Sequence, residues 1–306
     1  MSGQHLVVGA GPVGSATAVK LADQGQQVVI VSRSGRGPDR VGITRVSADA
    51  GDTARLVTLA EGASAIYNCL NPAYHRWPQD WPPMAQALLA AAESSGALLV
   101  TAANLYPYGP TDGPMVEGNP DAATGTKARV RAQMTSDAFA ARDAGRIRAV
   151  EVRASDYVGA GVQSHLGRLV PRIVQGKSVQ VVGSADQLHT WTYVPDMAAL
   201  MVALVDHDDA WGRVWHTPSL QPRTQREAVT DLCAAAGVAP VKVATLPRIA
   251  LSAAGLFSPT TRELKETLYQ FERPFVMDST AAQERFGLAP TDWGAICTEM
   301  IAAARA

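Results

Sequence analysis

HLVVGAGPVGSATAVKLADQGQQVVIVSRSG, residues 5–35, decides the fold. Leu6, Val7 and Val8 form a short apolar run of the kind buried in a parallel sheet. Gly9, Gly11 and Gly14 follow as G-x-G-x-x-G, then a helix whose apolar positions Val13, Ala16, Val19 and Leu21 lead into Gln24–Gly25. Gln27–Val31 reads as the next strand. Each glycine has its own task. Gly9 permits a tight turn, Gly11 lets a pyrophosphate approach the backbone, and Gly14 lets the helix close on the strand. The phosphates would sit on unpaired N–H groups at the helix N-terminus, beside Pro12 and Val13. Strand, glycine turn, helix and strand on this spacing predict a dinucleotide site at the head of an α/β fold.

The end of the second strand chooses the cofactor. An acid there would hold a ribose 2′-hydroxyl. This chain has Val31-Ser32-Arg33-Ser34 and then Arg36, with no acid before Asp39. A guanidinium holds a 2′-phosphate in a charge-assisted pair of roughly 1.5–3 kcal/mol. NADP(H) is therefore expected, with Ser32, Arg33 and Ser34 around the phosphate. The alternation continues with a strand to Val46, an Asp52 N-cap, a helix from Thr53 to about Glu61 and a strand at Ala65–Leu70. Asp49 and Ala50 fall at the sheet's carboxyl edge, where a side-chain acceptor could meet the adenine amine.

Composition narrows the remaining choices. The chain has 306 residues, 47% hydrophobic and 18% charged, with a net charge of −1. No basic stripe stands out, which argues against a nucleic-acid partner. No apolar run reaches about 18 residues, so no membrane span is expected. The N-terminus lacks a signal-like segment, and a cytoplasmic location is expected. Cys69, Cys233 and Cys297 are far apart and lack metal-ligand spacing, so they read as buried thiols and no metal is expected. Strand six is expected at Ile147–Arg153. After Gly159 the chain should leave the sheet for a helix ending near Gly176 and return through WTYVPDMAALMVAL. Thr224 and Glu227 form a capping box, Gly237 stops that helix, and Pro259-Thr260 opens another. The expected division is a dinucleotide-binding domain at 1–160 and 187–217, with a smaller lobe at 161–186 and 218–306.

Eight motifs in order carry a resemblance. They are GAGPVGSATA (9–18), ADAGD (48–52), NCLNP (68–72), NLYPYGP (104–110), TGTK (124–127), VEVRASDYVGAG (150–161), WTYVPDMAALMVAL (191–204) and FVMDSTAAQERFGLAPTDW (275–293). The chain resembles the extended short-chain dehydrogenase/reductase superfamily, in its NAD-dependent epimerase/dehydratase branch. The resemblance implies a doubly wound parallel Rossmann sheet with a second, smaller, mostly helical substrate lobe. It implies cofactor contacts from Gly9, Gly11, Pro12, Val13, Gly14, Arg33, Asp49, Ala50, Asn71, Lys127 and Ser155.

It also implies a serine, a tyrosine and a lysine for the chemistry, the last two at i and i+4 on one helix face. Lys127 matches, on a helix expected from about Ala123 to Ala141. Its i−4 position is Ala123, and no serine stands at the end of the fifth strand, where Asn104 or Ala102 falls instead. Asn104 could donate to a substrate carbonyl and Tyr106 could supply the proton. The segment 73–83, AYHRWPQDWPP, suits a lid or pocket wall, with Tyr74, His75 and Trp77, joined by Tyr157, as pocket residues.

These readings lead to an NADP(H)-dependent oxidoreductase acting on a small polar metabolite, a carbonyl, alcohol or imine, with a non-standard proton donor. The rivals are a non-catalytic NADP(H)-binding sensor and a non-redox isomerase or cyclase that retains the cofactor. A small molecule is the expected partner, and the chain could form a homodimer.

Overall fold

In the computed structural model, which describes residues 3–246 and 265–306, Leu6–Val8 lies in β1 (Gln4–Val8), wholly buried at the middle of a parallel sheet. The other strands are β2 (Gln27–Ser32), β3 (Ile43–Ser47), β4 (Ala63–Asn68), β5 (Leu98–Asn104), β6 (Arg148–Ala154) and a last one at Val214–His216. Among the described residues these seven run in the order β3-β2-β1-β4-β5-β6 followed by Val214–His216. Every neighbouring pair is parallel. The direction of winding reverses between β1 and β4, and a crevice opens at the strands' carboxyl ends at such a switch point.

Helices α1 (Pro12–Asp23), α2 (Thr53–Leu59), α3 (Trp77–Ser95) and α4 (Thr126–Asp143) connect the strands. Leu6 and Val8 share a face with Leu56 of α2, Leu88 and Ala91 of α3, and Ala141 of α4 in one buried cluster. Val7, alternating with them, faces the other side. Asp52 caps α2 as its position predicts, accepting the Arg55 N–H at 3.0 Å. β4 ends two residues before the expected Leu70, whose N–H has already turned onto the Asn68 carboxamide oxygen.

The chain divides into two units. One comprises Met1–Pro107, Thr124–Ala154 and Met197–Thr217, and holds the sheet; the other comprises Tyr108–Ala123, Ser155–Asp196 and Pro218–Ala306. The second takes more chain than the sequence expectation assigned to the smaller lobe. Asp156–Val158 pairs with Trp191–Tyr193 instead of joining the large sheet, and Met115 bridges to Met277. Its core forms where the helices Val170–Val174, Gln225–Ala236 and Trp293–Arg305 meet. The predicted capping box is present, with Thr224 and Glu227 bonded reciprocally and Gly237 in the left-handed conformation at the helix end. The helix predicted to open at Pro259-Thr260 begins outside the described residues. Cys69, Cys233 and Cys297 are buried free thiols. No helix among the described residues is long and apolar enough to cross a membrane.

Candidate active site

The glycine turn sorts its three glycines by cause. Gly9 has φ +110°, and a Cβ there would lie 2.5 Å from the Cys69 carbonyl oxygen. A Cβ on Gly14 would lie 1.8 Å from the Gly9 carbonyl oxygen. Packing alone forbids a side chain at either position. Gly11 differs, since a Cβ there would meet nothing within 4 Å. It is the N-cap of α1, with no side-chain cap, no acid in the first turn and Pro12 behind it. The helix start therefore presents backbone donors to open space that a side chain would occupy, and a pyrophosphate fits that cradle.

The turn after β2 is held from both sides. Ser32 donates its hydroxyl to the Arg36 carbonyl at 2.8 Å, and Ser47 donates to the Arg33 carbonyl at 2.9 Å. Arg33 and Ser34 are exposed beyond it. Asp80 is held below the usual carboxylate range, first by hydrogen bonds from Arg76, with charge from Arg33 and His75 adding to that pull. Asp49 accepts the Gly51 N–H at 2.8 Å, which closes the turn into α2, and Ala50 is buried beneath it. Asn71 is exposed just past β4.

At the carboxyl end of β5 the Asn104 carboxamide oxygen accepts the Tyr106 N–H at 3.2 Å. The amide nitrogen is the end left for donation. Tyr106 begins a short 3-10 turn, and its phenol oxygen lies 2.5 Å from that of Tyr74. Tyr74 begins another such turn, Tyr74–Arg76. The Lys127 ammonium sits 5.7 Å from the centre of the Tyr74 ring and is 1% exposed. Lys127 is the second residue of α4, where the helix dipole disfavours a cation. The Tyr74 ring beside it gives the buried ammonium a cation–π contact.

Two expectations are corrected here. α4 starts at Thr126 and not at Ala123, because Gly125 is extended (φ −64°, ψ 154°) as its N-cap. Ala123 and Thr124 lie outside the helix, so the i, i+4 relation to Lys127 does not apply to them. The segment 73–83 is not an open loop. From Trp77 it is the start of α3, with Trp77 and Trp81 buried one turn apart and His75 exposed on the preceding turn. The Arg131 guanidinium lies 4.9 Å from the Trp77 ring centre and 4.3 Å from that of Trp81. Trp77 in turn packs on Tyr74 and Tyr106, with ring centres 4.9 and 6.1 Å away. Sequence reasoning missed Arg131, although its spacing of four from Lys127 was the signal available.

In the second unit Ser155 is buried. Its N–H donates to the Thr192 hydroxyl at 3.1 Å, and its own hydroxyl lies 3.5 Å from His189 Nε2. Tyr157 is half-buried. Between them stands a cluster that sequence reasoning did not single out. His189 Nε2 is 2.9 Å from Asp156 Oδ2, and its Nδ1 is 3.2 Å from the Gln270 carbonyl oxygen. Both ring nitrogens thus lie within hydrogen-bond reach of an oxygen. Phe271 and Phe275 stack on it at 4.8 and 5.2 Å. Burial pushes the Asp156 carboxyl up, but the His189 hydrogen bond and the charge of His165 and His189 hold it below its ordinary value. Burial holds His165 down, against the attraction of Asp156.

A family model described as the NAD dependent epimerase/dehydratase family matches residues 5–215. No curated protein matches. Among solved structures, the dTDP-glucose 4,6-dehydratase of Bacillus anthracis in complex with NAD is 15% identical, with a TM-score of 0.79 over 99% of this chain and 96% of that one. A UDP-glucose 4-epimerase is 16% identical, with a TM-score of 0.80 over 99% and 97%. The Thermus thermophilus UDP-glucose 4-epimerase in complex with NAD is also 16% identical, with a TM-score of 0.78 over 99% of both chains. At these identities the likeness is one of fold.

Proposed function

We propose that this chain, which belongs to the NAD dependent epimerase/dehydratase family, is an epimerase-like enzyme that acts as an NADP(H)-dependent oxidoreductase on a small polar carbonyl, alcohol or imine. One observation carries the reading. The bare Gly11 cradle, the Arg33 turn and the Lys127 corner with its two phenols all belong to the sheet-bearing unit, at the carboxyl ends of its strands.

A reduced nicotinamide, when bound, supplies hydride to an electrophilic carbon. The chain's residues do the rest. Backbone donors at Gly11 to Gly14 take the pyrophosphate. Ser32, Arg33 and Ser34 surround the 2′-phosphate, and Asp49, Ala50 and Asn71 border the dinucleotide. Lys127 holds the ribose hydroxyls. The Asn104 amide orients the substrate oxygen, and Tyr106 gives it a proton in place of the tyrosine missing at 123. Tyr74 and His75 border the substrate, while Trp77 supports that wall from beneath. On the same reading the protein is cytoplasmic, with a small molecule as its partner, and could pair as a homodimer.

The solved relatives named above that carry a nucleotide carry NAD; Arg33 in place of an acid argues for the phosphorylated form here. Calorimetric titration tests this. NADPH should bind at least about tenfold tighter than NADH, the worth of one phosphate–guanidinium pair, and Arg33→Asp should abolish the difference. Equal affinities in the parent would remove NADP(H) from the reading.

A second reading, a sensor or a non-redox isomerase or cyclase that keeps the cofactor, is favoured by Ala123, which offers no acid and lies outside α4. NADPH binding without NADPH oxidation across a panel of carbonyl and imine metabolites would select it.

A further inference from the structure

The Tyr74–Tyr106 pair has a direction that its neighbours set. A phenol has one hydrogen, so whichever ring donates spends that hydrogen within the pair. The ring that accepts keeps its own hydrogen for another acceptor. Lys127 lies over the face of Tyr74, and a cation there makes that phenol the poorer acceptor and the better donor. The two phenol oxygens lie within hydrogen-bond reach of each other, at 2.5 Å.

We propose that Tyr74 is a positioning residue for the proton donor: its phenol donates into the Tyr106 oxygen, stabilises the phenolate that Tyr106 becomes, and so sets Tyr106's acidity. The proposal rests on the reductase reading of the same site. In the step, the Tyr106 O–H bond breaks as an O–H bond forms on the substrate's former carbonyl oxygen. The electron pair stays on Tyr106 as a phenolate. The carbon is reduced by hydride from a reduced nicotinamide, which is oxidised, and water then returns a proton to Tyr106. Throughout, Tyr74 keeps its own hydrogen, and its bond to Tyr106 strengthens as charge develops there.

The surroundings suit this role. Lys127 and, one turn on, Arg131 bring positive charge from α4. His75, Arg76 and Asp80 come from Tyr74's own side, where Arg76 and Asp80 neutralise each other in a bidentate pair. Trp77 lies against both phenol rings, which keeps water from diluting those charges. Lys127 thus reaches the donor through Tyr74, a route that needs no tyrosine at position 123.

Tyr74→Phe keeps the ring that packs on Trp77 and removes only the hydroxyl. The decisive readout needs neither cofactor nor substrate: ionisation of Tyr106, followed by NMR of ring-13C tyrosine and assigned by comparison with Tyr106→Phe. In Tyr74→Phe the Tyr106 midpoint should rise by about one unit or more, the tenfold scale of a lost charge-assisted bond. Lys127→Met, which leaves both phenols in place, should move it the same way by less. Turnover in Tyr74→Phe should fall roughly 10- to 100-fold with KM near its parent value, and the alkaline limb of kcat/KM should move with the NMR midpoint. A Tyr106 midpoint that stays put or falls in both variants overturns the proposal. Absence of turnover in the parent would instead defeat the reductase reading, and the titration would still decide whether the phenols are coupled.

Discussion

Two polar constellations with aromatic neighbours stand in this chain, and they are built on opposite terms. Around His189 the polar partners are closed on one another. The His189 ring meets Asp156 on one side and the Gln270 carbonyl on the other, between Phe271 and Phe275, and the residue is 1% exposed. Around Lys127 the cation faces the Tyr74 ring, and Tyr74 and Tyr106 are only half-buried. The first arrangement offers nothing to a ligand and makes its groups costly to disturb. The second sets a phenol and an amide at the end of β5. Saturation suits a group that holds structure, whereas partial exposure at a sheet's carboxyl edge is what the proposed proton donor requires.

If the contrast is right, damage to the two places should separate cleanly. Tyr106→Phe should cost roughly 10²–10⁴ in turnover, about 2.7–5.5 kcal/mol of transition-state stabilisation, with the unfolding midpoint unchanged and NADPH affinity nearly intact. Steady-state rates beside a urea titration measure both, and full turnover in the variant would move the donor to His75 or to water. His189→Ala should do the reverse in kind. It strands the Asp156 carboxylate, and the loss of one partner from a buried pair costs about 3–5 kcal/mol of stability. An unfolding free energy within 1 kcal/mol of the parent, roughly the worth of a surface pair, would show that the cluster is solvated and that the contrast is false.

Acid gives a smaller and more graded version of the same test. His165 has its folded pKa lowered by burial, so the unfolded chain binds the extra proton first. Its contribution is complete above the unfolded value near about 6.5 and declines as pH falls below it. Asp156 is also depressed in the fold, so its share is present above about 3.9, the unfolded value, and is lost as pH falls through the folded one. Stability should therefore fall in two stages between about pH 7 and pH 3. His5, lowered by burial in the sheet unit, adds to the first stage. Urea midpoints across that range should show the first stage flattened in His165→Gln. An unchanged slope in that variant would assign the whole stage to His5.

What could be read in the sequence was local. The glycine turn, the Asp52 cap and the Thr224–Glu227 box each need only a few neighbouring residues, and each is present in the structure. The parallel order followed from the alternation of strand and helix. The phenol pair was beyond reach because its members are 32 residues apart and meet only when β4 and β5 lie side by side. His189 and Asp156, 33 apart, were hidden for the same reason. The start of α4 was misplaced because alanines at 122 and 123 favour helix, while the extended Gly125 sets the boundary. At 73–83 the prolines suggested a loop, yet the spacing of four between Trp77 and Trp81 carried the helix.

Those prolines have one more effect. Pro82 and Pro83 carry no N–H, so the carbonyls of Pro78 and Gln79 receive no helical bond from them. The opening turns of α3 lean on Trp77 and Trp81 against Arg131, contacts made by a different helix much later in the chain. A nascent chain that ended before residue 131 would have β1 to β5 and the Tyr106 ring within reach, but not the guanidinium that lies against Trp77 and Trp81. During synthesis, the stack on Trp77 and Trp81 is completed only when α4 joins it.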